Sequence, residues 1–194
     1  MTDASKLQTV PTEGWDSSLA HIVEDMDGKP LNIHRLLANH PDLLNAWWSL
    51  RNYLVAGGSL GKRNAELVIL RTAVRARNWY EWASHVVRGL DSELSLTEIE
   101  RVVDGPAHPD WDEPDALLLL AVDALETCAA LDGEIVAELE THFGRRAVLD
   151  LIALRSMYVM LGNMLNSWEV TLDEDVTDAL PQSMTQQWFE DALG

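Results

Sequence analysis

The stretch Arg63–His85 reads RNAELVILRTAVRARNWYEWASH, and it is the most informative part of the chain. Its apolar residues recur at helical spacing on both sides of a short break, so two successive helices are predicted. The first helix carries Glu66, and the second carries Glu81 and His85 four residues apart. Two carboxylates and an imidazole that are brought together can move protons to and from carbon acids.

Helical spacing continues through the rest of the chain, and we find no strand alternation. The residues Ser95–Glu98 have capping-box spacing and predict the start of a helix. The segment Asp104–Pro114 contains three prolines and is predicted to be a loop. Longer helices are predicted over 115–130 and 146–168. These patterns predict an all-α domain of about seven or eight helices.

The composition indicates one domain with two flanking segments. We expect a loose arm with a short helix at 1–30, a helical domain at 31–172 and an acidic tail at 173–194. No apolar run reaches the roughly 18 residues of a membrane span, and the N-terminus has neither a basic nor an apolar leader segment. We therefore expect a cytoplasmic protein without a membrane partner.

Net charge and cysteine content exclude further classes of function. The chain has 32 acidic and 14 basic residues and a net charge of −18, which repels phosphate backbones, so nucleic acid is not an expected partner. Cys128 is the only cysteine, which excludes an internal disulfide and any Cys-x-x-Cys redox or zinc site. Because no basic residue adjoins Cys128 to activate its thiol, we predict that it lies in the core.

Five basic residues cluster around the central stretch, namely Lys62, Arg63, Arg71, Arg75 and Arg77. A local positive field beside an acidic body can attract a carboxylate substrate. The same residues can instead form salt bridges within the chain or between subunits. Both interpretations stay open from the sequence.

Glu66 shares one helix face with three apolar residues of the following two turns. A carboxylate on an apolar stripe is desolvated, which suits a general acid or base. The alternative is an ion pair at the edge of the stripe, in which Glu66 contacts Arg63 or Arg71.

Glu81 and His85 are one helical turn apart, so their side chains are neighbours. Glu81 can fix the imidazole tautomer and increase its basicity. The helical wheel places the pair largely away from the apolar stripe of its own helix. The alternative is therefore a solvated surface pair worth about 0.3 kcal/mol.

Other polar residues are weaker candidates for a site. His34 and His40 bracket a predicted helix and can cap, pack or line a cleft, but two histidines at this spacing are a poor metal signal. Tyr80 and Tyr158 are potential hydroxyl donors, although a buried tyrosine usually only satisfies a hydrogen bond.

The pattern Glu66…Arg71…Asn78-Trp-Tyr-Glu-Trp…His85 resembles the carboxymuconolactone decarboxylase family, which includes the AhpD-like alkylhydroperoxidases. The similarity extends over about Leu31–Leu172. It implies an AhpD-like helical bundle that assembles with copies of itself as a homotrimer, homohexamer or dimer.

The chain departs from the peroxidase branch of that family. The AhpD-like branch uses a Cys-x-x-Cys pair with a preceding Glu and a following His. Glu66 and His85 match the Glu and His positions, whereas the two cysteine positions fall on Asn78 and Glu81. Thiol–disulfide peroxidase chemistry is therefore not expected by that route.

The decarboxylase branch implies a lyase or isomerase that acts on a small carboxylated lactone-like compound, needs no metal and no organic cofactor, and has a place in aromatic catabolism. Such an enzyme converts a γ-lactone that carries a carboxylate into an enol-lactone with loss of carbon dioxide.

This resemblance also implies roles for six residues. His85 would be the acid or base, Glu81 its partner acid and Glu66 a second acid or network anchor. Arg71 would hold the substrate carboxylate, and Tyr80 and Asn78 would bind substrate beside it. The alternative is a small-molecule-binding or purely oligomeric member of the family without catalysis.

Overall fold

The computed structural model describes residues 6–194 of the chain. These residues contain eleven α-helices and no β-strand. The first five residues of the predicted N-terminal arm lie outside it. The all-α class is confirmed, and the helix count exceeds seven or eight because short helices stand between the long ones. The helices are α1 (Ala20–Asp25), α2 (Asn32–Leu37), α3 (Pro41–Val55), α4 (Lys62–Arg75), α5 (Trp79–Asp91), α6 (Leu96–Arg101), α7 (Glu113–Cys128), α8 (Gly133–Phe143), α9 (Arg145–Trp168), α10 (Glu174–Ala179) and α11 (Gln186–Leu193).

Helix α4 is the central element of the fold. It packs against α5, α7 and α9, and every residue in its run from Ala65 to Val74 is buried. A helix that is covered on all sides must be apolar around its whole circumference, apart from polar groups that find partners. Glu66 and Arg71 are the two charged residues within this run, so both need such partners.

The break between α4 and α5 is held by Asn78. Arg77 adopts a left-handed conformation with φ of 49°, which ends α4. The side-chain Oδ1 of Asn78 then accepts a hydrogen bond from the backbone N–H of Glu81 at 2.7 Å and caps α5. Its Nδ2 donates to the carbonyl of Gly162 and to Asn166 on α9. Asn78 therefore fixes where the helix that carries Glu81 and His85 begins.

Local capping signals in the sequence are confirmed elsewhere. Ser95 and Glu98 form the predicted capping box at the start of α6. The proline-containing segment is irregular up to Asp112, which caps α7 by accepting from the backbone N–H of Asp115. His40 caps α3, because its Nδ1 accepts from the backbone N–H of Leu43 at 3.3 Å.

Helix α9 is long and apolar enough to cross a membrane by length and composition alone. Half of its most apolar window is buried inside the protein, where α9 packs on α4 and α8. The core helix of a globular protein shows the same pattern.

The acidic C-terminal residues fold back onto α5. Phe189 of α11 is 1% exposed, and its ring lies 5.2 Å from Trp82 and 6.0 Å from Trp79 between ring centroids. Met184 is buried as well. These apolar residues attach the segment after α9 to the helix that carries the candidate site.

The prediction that Cys128 lies in the core is wrong. Its side chain is exposed at the last residue of α7. Ala129 follows in a left-handed conformation, with φ of 55°, that ends the helix. The apolar face of α7 stops one turn earlier, at the buried Leu125, so the thiol lies beyond the packed part of the helix.

Candidate active site

Helices α4 and α5 bring Glu66, Glu81 and His85 together below the surface. These residues are 7%, 4% and 1% exposed, respectively. The interpretation of Glu81 and His85 as a solvated surface pair is therefore wrong. Side chains from α2, α3 and α9 cover this face of α5, and a wheel of α5 alone cannot show that cover.

Glu66 and His85 form a buried hydrogen-bonded pair. Nδ1 of His85 lies 2.6 Å from Oε2 of Glu66. An ion pair of Glu66 with Arg63 or Arg71 does not occur, because both arginines have other carboxylate partners. A carboxylate on Nδ1 orients the ring and stabilises its protonated form, as in other acid–base sites.

Arg88 contacts the other side of the same imidazole. Its Nη1 lies 3.1 Å from Nε2 of His85. Because a guanidinium can only donate, Nε2 must be the accepting nitrogen, so the neutral ring carries its proton on Nδ1 toward Glu66. The Oε2 atom of Glu81 lies 3.5 Å from the same Nε2. His85 thus stands between two carboxyl groups and one guanidinium.

The two carboxyl groups have different partners. Glu66 accepts the imidazole N–H, whereas the nearest basic atom to Glu81 is Nε2 at 3.5 Å. Burial raises the pKa of Glu81 to about 8, and the Glu66 charge adds to this effect, while Arg88 opposes it. Burial lowers the pKa of His85, and Glu66 partly offsets that shift. At neutral pH, Glu81 is therefore mainly a carboxylic acid, and His85 is mainly neutral.

These groups line a partly enclosed cavity of about 160 Å³. The volume equals about five water molecules at roughly 30 Å³ each, so it suits a molecule with one small ring. Helices α2 to α5 and α9 all contribute to its wall. The lining residues are Leu31, Ile33, His34, Trp47, Arg51, Val55, Glu66, Tyr80, Glu81, His85, Arg88, Tyr158 and Leu161.

Two arginines in this wall were missed by the sequence reasoning. Arg88 follows His85 by one helical turn, so i,i+3 spacing could have found it. Arg51 of α3 had no local signal, since it reaches the site from another helix. Its guanidinium lies 5.0 Å from the centre of the Trp48 ring, and burial lowers its pKa.

The proposed carboxylate holder Arg71 lies elsewhere, which corrects that expectation. Its guanidinium binds Asp123 through Nε at 2.8 Å and Nη2 at 2.6 Å. Nη1 donates to the carbonyls of Val102 and Val103. Arg71 is absent from the cavity lining and has a structural role between α4, α7 and the end of α6. The salt-bridge interpretation of the basic cluster holds for this residue.

Asn78 and Tyr80 differ in their relation to the cavity. The side chain of Asn78 caps α5, and this residue does not line the cavity. Tyr80 lines the cavity and also an outer cleft of about 570 Å³ between α5, the end of α9 and α11. Its hydroxyl donates to Asp173, and burial raises its pKa well above the ordinary value. Tyr80 therefore stands between the cavity and the outer cleft.

Tyr158 completes the wall around the imidazole. Its ring meets His85 edge-on, with ring centroids 4.9 Å apart. Burial raises the pKa of its hydroxyl, and the Glu81 charge adds to this effect. Tyr158 therefore stays neutral and can donate a hydrogen bond. Within residues 6–194, no group of three or more His, Cys, Asp or Glu side chains is placed to hold a metal ion.

Comparison with known families agrees with this arrangement. Residues 41–116, which include α3 to α5 and all three central site residues, match the Carboxymuconolactone decarboxylase family. The expected resemblance to this family is therefore confirmed over this part of the chain. A search of curated proteins finds no match to this chain.

Solved structures of several proteins share this fold. An uncharacterised peroxidase-related protein from Ralstonia eutropha JMP134, described as an alkylhydroperoxidase AhpD core, has a TM-score of 0.76 and 17% identity, covering 88% of this chain and 94% of that one. A peroxidase-related protein from Silicibacter sp. TM1040 has a TM-score of 0.74 and 15% identity over 91% and 97%.

A third similar structure is that of an enzyme. The debrominase Bmp8, as a cysteine-to-alanine variant in complex with 2,3,4-tribromopyrrole, has a TM-score of 0.72 and 14% identity, covering 89% of this chain and 94% of that one. At these identities the likeness shows a shared fold. The function of this chain depends on the residues of its own site.

Proposed function

We propose that the protein is a cofactor-independent acid–base enzyme that acts on a small lactone-like monocarboxylate, as a decarboxylating lyase or an isomerase. The observation that carries this proposal is the buried set of Glu66, His85 and Glu81 in one cavity, with Arg51 and Arg88 in the same wall. An acid, a base and two cations in one partly enclosed cavity are the groups that such a reaction needs.

The charge of the cavity favours a substrate with one negative charge. Arg51 and Arg88 bring two positive charges, and Glu66 brings one negative charge. Glu81 contributes none while it is protonated, as its pKa of about 8 implies at neutral pH. The sum of two positive charges and one negative charge is +1, which one carboxylate neutralises. A second substrate carboxylate would leave an uncompensated buried charge, which is costly.

Arg88 links substrate binding to the base. In the structure its Nη1 occupies the Nε2 lone pair of His85. A guanidinium binds a carboxylate more strongly than a neutral imidazole, so an arriving substrate carboxylate competes for Arg88. When Arg88 turns to that carboxylate, Nε2 is released to accept a proton. The base then becomes available only once substrate is bound.

A decarboxylation would use Glu81 as the acid. The bond between the lactone ring and its carboxylate breaks, and carbon dioxide leaves. The electron pair passes into the conjugated ring carbonyl as a dienolate, and Glu81 gives its proton to the ring carbon next to that carbonyl. The resulting Glu81 carboxylate regains a proton from solvent through His85, which Glu66 orients. An isomerisation uses the same groups, with His85 taking one ring proton and Glu81 supplying another.

The resting contact between Arg88 and His85 favours a second candidate, a binding protein without turnover. In that case Arg88 would keep Nε2 of His85 occupied in the complex as well. Carboxylate binding would then depend on Arg51 and Arg88, and it would not need the acid form of Glu81.

The test follows 5-oxo-2,5-dihydrofuran-2-carboxylate, an unsaturated γ-lactone with one carboxylate, by proton NMR in D₂O. An enzyme releases carbon dioxide or incorporates deuterium into the ring, and His85→Ala and Glu81→Gln reduce the rate by about 10²-fold or more. Glu98→Gln, which alters a carboxylate near Arg63 outside the cavity, serves as the control. Binding without either reaction would favour the binding protein, and full turnover by both cavity variants would refute the assigned roles.

A further inference from the structure

His34 stands in the cavity wall as a histidine whose tautomer is fixed by the backbone. It lies in α2, is 1% exposed and lines the cavity. The backbone N–H of Leu31 donates to its Nδ1 at 3.2 Å. Because Nδ1 accepts, the proton of the neutral ring must be on Nε2. Nε2 of His34 is therefore a hydrogen-bond donor and not an acceptor.

The surroundings of His34 keep the ring neutral. The ring centroid lies 5.3 Å from Trp48 in an edge-on contact and 5.8 Å from Trp47. Burial lowers the pKa of His34 to about 3, and the charges of Arg51 and Arg88 contribute to that shift. A further positive charge beside two arginines is unfavourable, so the imidazole remains a neutral donor through the physiological pH range.

Two neutral donors of this wall have no protein partner. Among residues 6–194, no hydrogen bond is formed by Nε2 of His34, and Nε1 of Trp47 is buried without an acceptor. A buried donor such as Nε1 of Trp47 that lacks an acceptor costs about 1–3 kcal/mol, so its presence in a ligand-sized cavity needs a reason. An acceptor oxygen of a bound molecule would supply one.

We propose that His34 is a catalytic residue of this site, whose Nε2–H donates to the ring carbonyl oxygen of the substrate and stabilises the negative charge that develops there. The inference rests on the proposed function, because it takes the lactone carboxylate as the substrate class. Arg51 and Arg88 match the carboxylate, which is charged before the reaction begins. A neutral donor matches the carbonyl oxygen, which becomes charged only in the transition state.

These different tasks explain why charged arginine donors and a neutral imidazole donor occur in the same cavity wall. An arginine on the carbonyl would attract the carboxylate to the wrong end of the cavity. A neutral imidazole N–H does not compete for the anion, yet its hydrogen bond strengthens as the carbonyl oxygen gains charge. His34 thereby sets which end of a small lactone faces Glu81 and His85.

The binding test uses two stable probes, 5-oxotetrahydrofuran-2-carboxylate and tetrahydrofuran-2-carboxylate, which differ only in the ring carbonyl. We expect calorimetry to show the carbonyl probe binding about tenfold more tightly, as one hydrogen bond implies. The Nε2–H proton of His34 should move downfield in NMR spectra with the carbonyl probe and stay in place with the other.

Variants separate recognition from folding. His34→Gln retains an N–H near the position of Nε2, whereas His34→Leu removes it. His40→Leu is the matched control, because His40 also accepts a backbone N–H through Nδ1 but lies outside the cavity. We expect His34→Leu alone to abolish the preference for the carbonyl probe and to reduce kcat on 5-oxo-2,5-dihydrofuran-2-carboxylate by about 10²-fold, with a small change in KM. His34→Gln should recover part of both effects.

The outcomes distinguish this inference from the function on which it rests. If both probes bind the unaltered protein equally, His34 does not bind the carbonyl, while the carboxylate site stands. If His34→Leu keeps the preference of the unaltered protein, the inference is overturned as well. If neither probe binds and the unsaturated lactone is not converted, the proposed substrate class and the role of His34 both fail.

Discussion

Oε2 of Glu66 lies 2.6 Å from Nδ1 of His85, across the junction of α4 and α5. This contact joins residues of two different helices, so the pair exists only when α4 and α5 pack against each other. The site and the fold core are therefore the same structure. Glu66 is one of the buried residues of the central helix, and its charge is tolerated there because an imidazole meets it.

Replacing Glu66 with Gln should weaken catalysis without abolishing the fold. The amide keeps the size of the side chain but loses the charge that stabilises protonated His85. We expect the rate on 5-oxo-2,5-dihydrofuran-2-carboxylate to fall on the order of 10²-fold. NMR titration should show the pKa of His85 lowered further in the variant, because the Glu66 charge raises it. An unchanged His85 titration would contradict an orienting and stabilising role for Glu66.

Glu81 predicts a specific dependence of stability on pH. Its pKa is about 8 in the folded protein, whereas the pKa of an exposed glutamate is 4.5. Between these pH values the folded state holds a proton that the unfolded state has released, so the free energy of unfolding falls as pH rises. Glu81→Gln removes this dependence because the amide does not ionise.

Urea unfolding at pH 5 and pH 9 measures this effect. We expect Glu81→Gln to gain roughly a few kcal/mol relative to the unaltered protein at pH 9, and little at pH 5. Glu98→Gln is the control, because the pKa of Glu98 is lowered and its contribution is lost as pH falls. Equal stability differences at both pH values would show that Glu81 is not protonated in the folded state at neutral pH.

Arg88 should control both the affinity for carboxylates and the pKa of His85. Arg88→Met removes a cavity cation, so we expect 5-oxotetrahydrofuran-2-carboxylate to bind about ten- to a hundredfold more weakly. The same change should raise the pKa of His85, which the Arg88 charge lowers.

Arg75→Met provides the matched control for Arg88. It removes the same charge from an exposed arginine that lies 3.6 Å from Asp123, outside the cavity. Calorimetry should show near-normal binding by this variant. Equal weakening in both variants would mean that net charge attracts the ligand and that Arg88 does not contact it.

The parts of the fold that depend on neighbouring residues were predictable from the sequence. The break before α5, the capping box at Ser95 and the proline-containing loop each arise from a few adjacent residues. The same holds for Glu66 as a charged residue on an apolar helix face. Such signals need no knowledge of the rest of the chain.

The cover of the site was not predictable, because it comes from distant segments. Nothing near Glu81 indicates that α2, α3 and α9 close over it, so the wheel of α5 gave the wrong exposure. Arg51 and His34 reach the site from those segments. Conversely, Arg71 lies close in sequence to Glu66 but belongs to another ion pair, with Asp123 of α7. The prediction that Arg71 holds a substrate carboxylate was therefore wrong, because it depended on proximity along the chain.

Tyr80 should control how fast ligands reach the cavity. It separates the cavity from the outer cleft, and its hydroxyl binds Asp173, whose other carboxylate oxygen accepts from the backbone N–H of Asn32 at 2.9 Å. Opening this wall breaks the hydrogen bond of the tyrosine to a charged acceptor, which is worth about 1.5–3 kcal/mol. Tyr80→Phe makes opening easier without removing a group that contacts the bound carboxylate.

We therefore expect Tyr80→Phe to raise the association and dissociation rates of 5-oxotetrahydrofuran-2-carboxylate by a similar factor, about tenfold, and to leave Kd nearly unchanged. Tyr53→Phe is the matched control, since Tyr53 also donates to an aspartate, Asp150, but lies away from the cavity. NMR exchange measurements give both rates. A change in Kd with unchanged association would instead place the Tyr80 hydroxyl in contact with the ligand, because a group in the access path alters the barrier while a binding group alters the bound state.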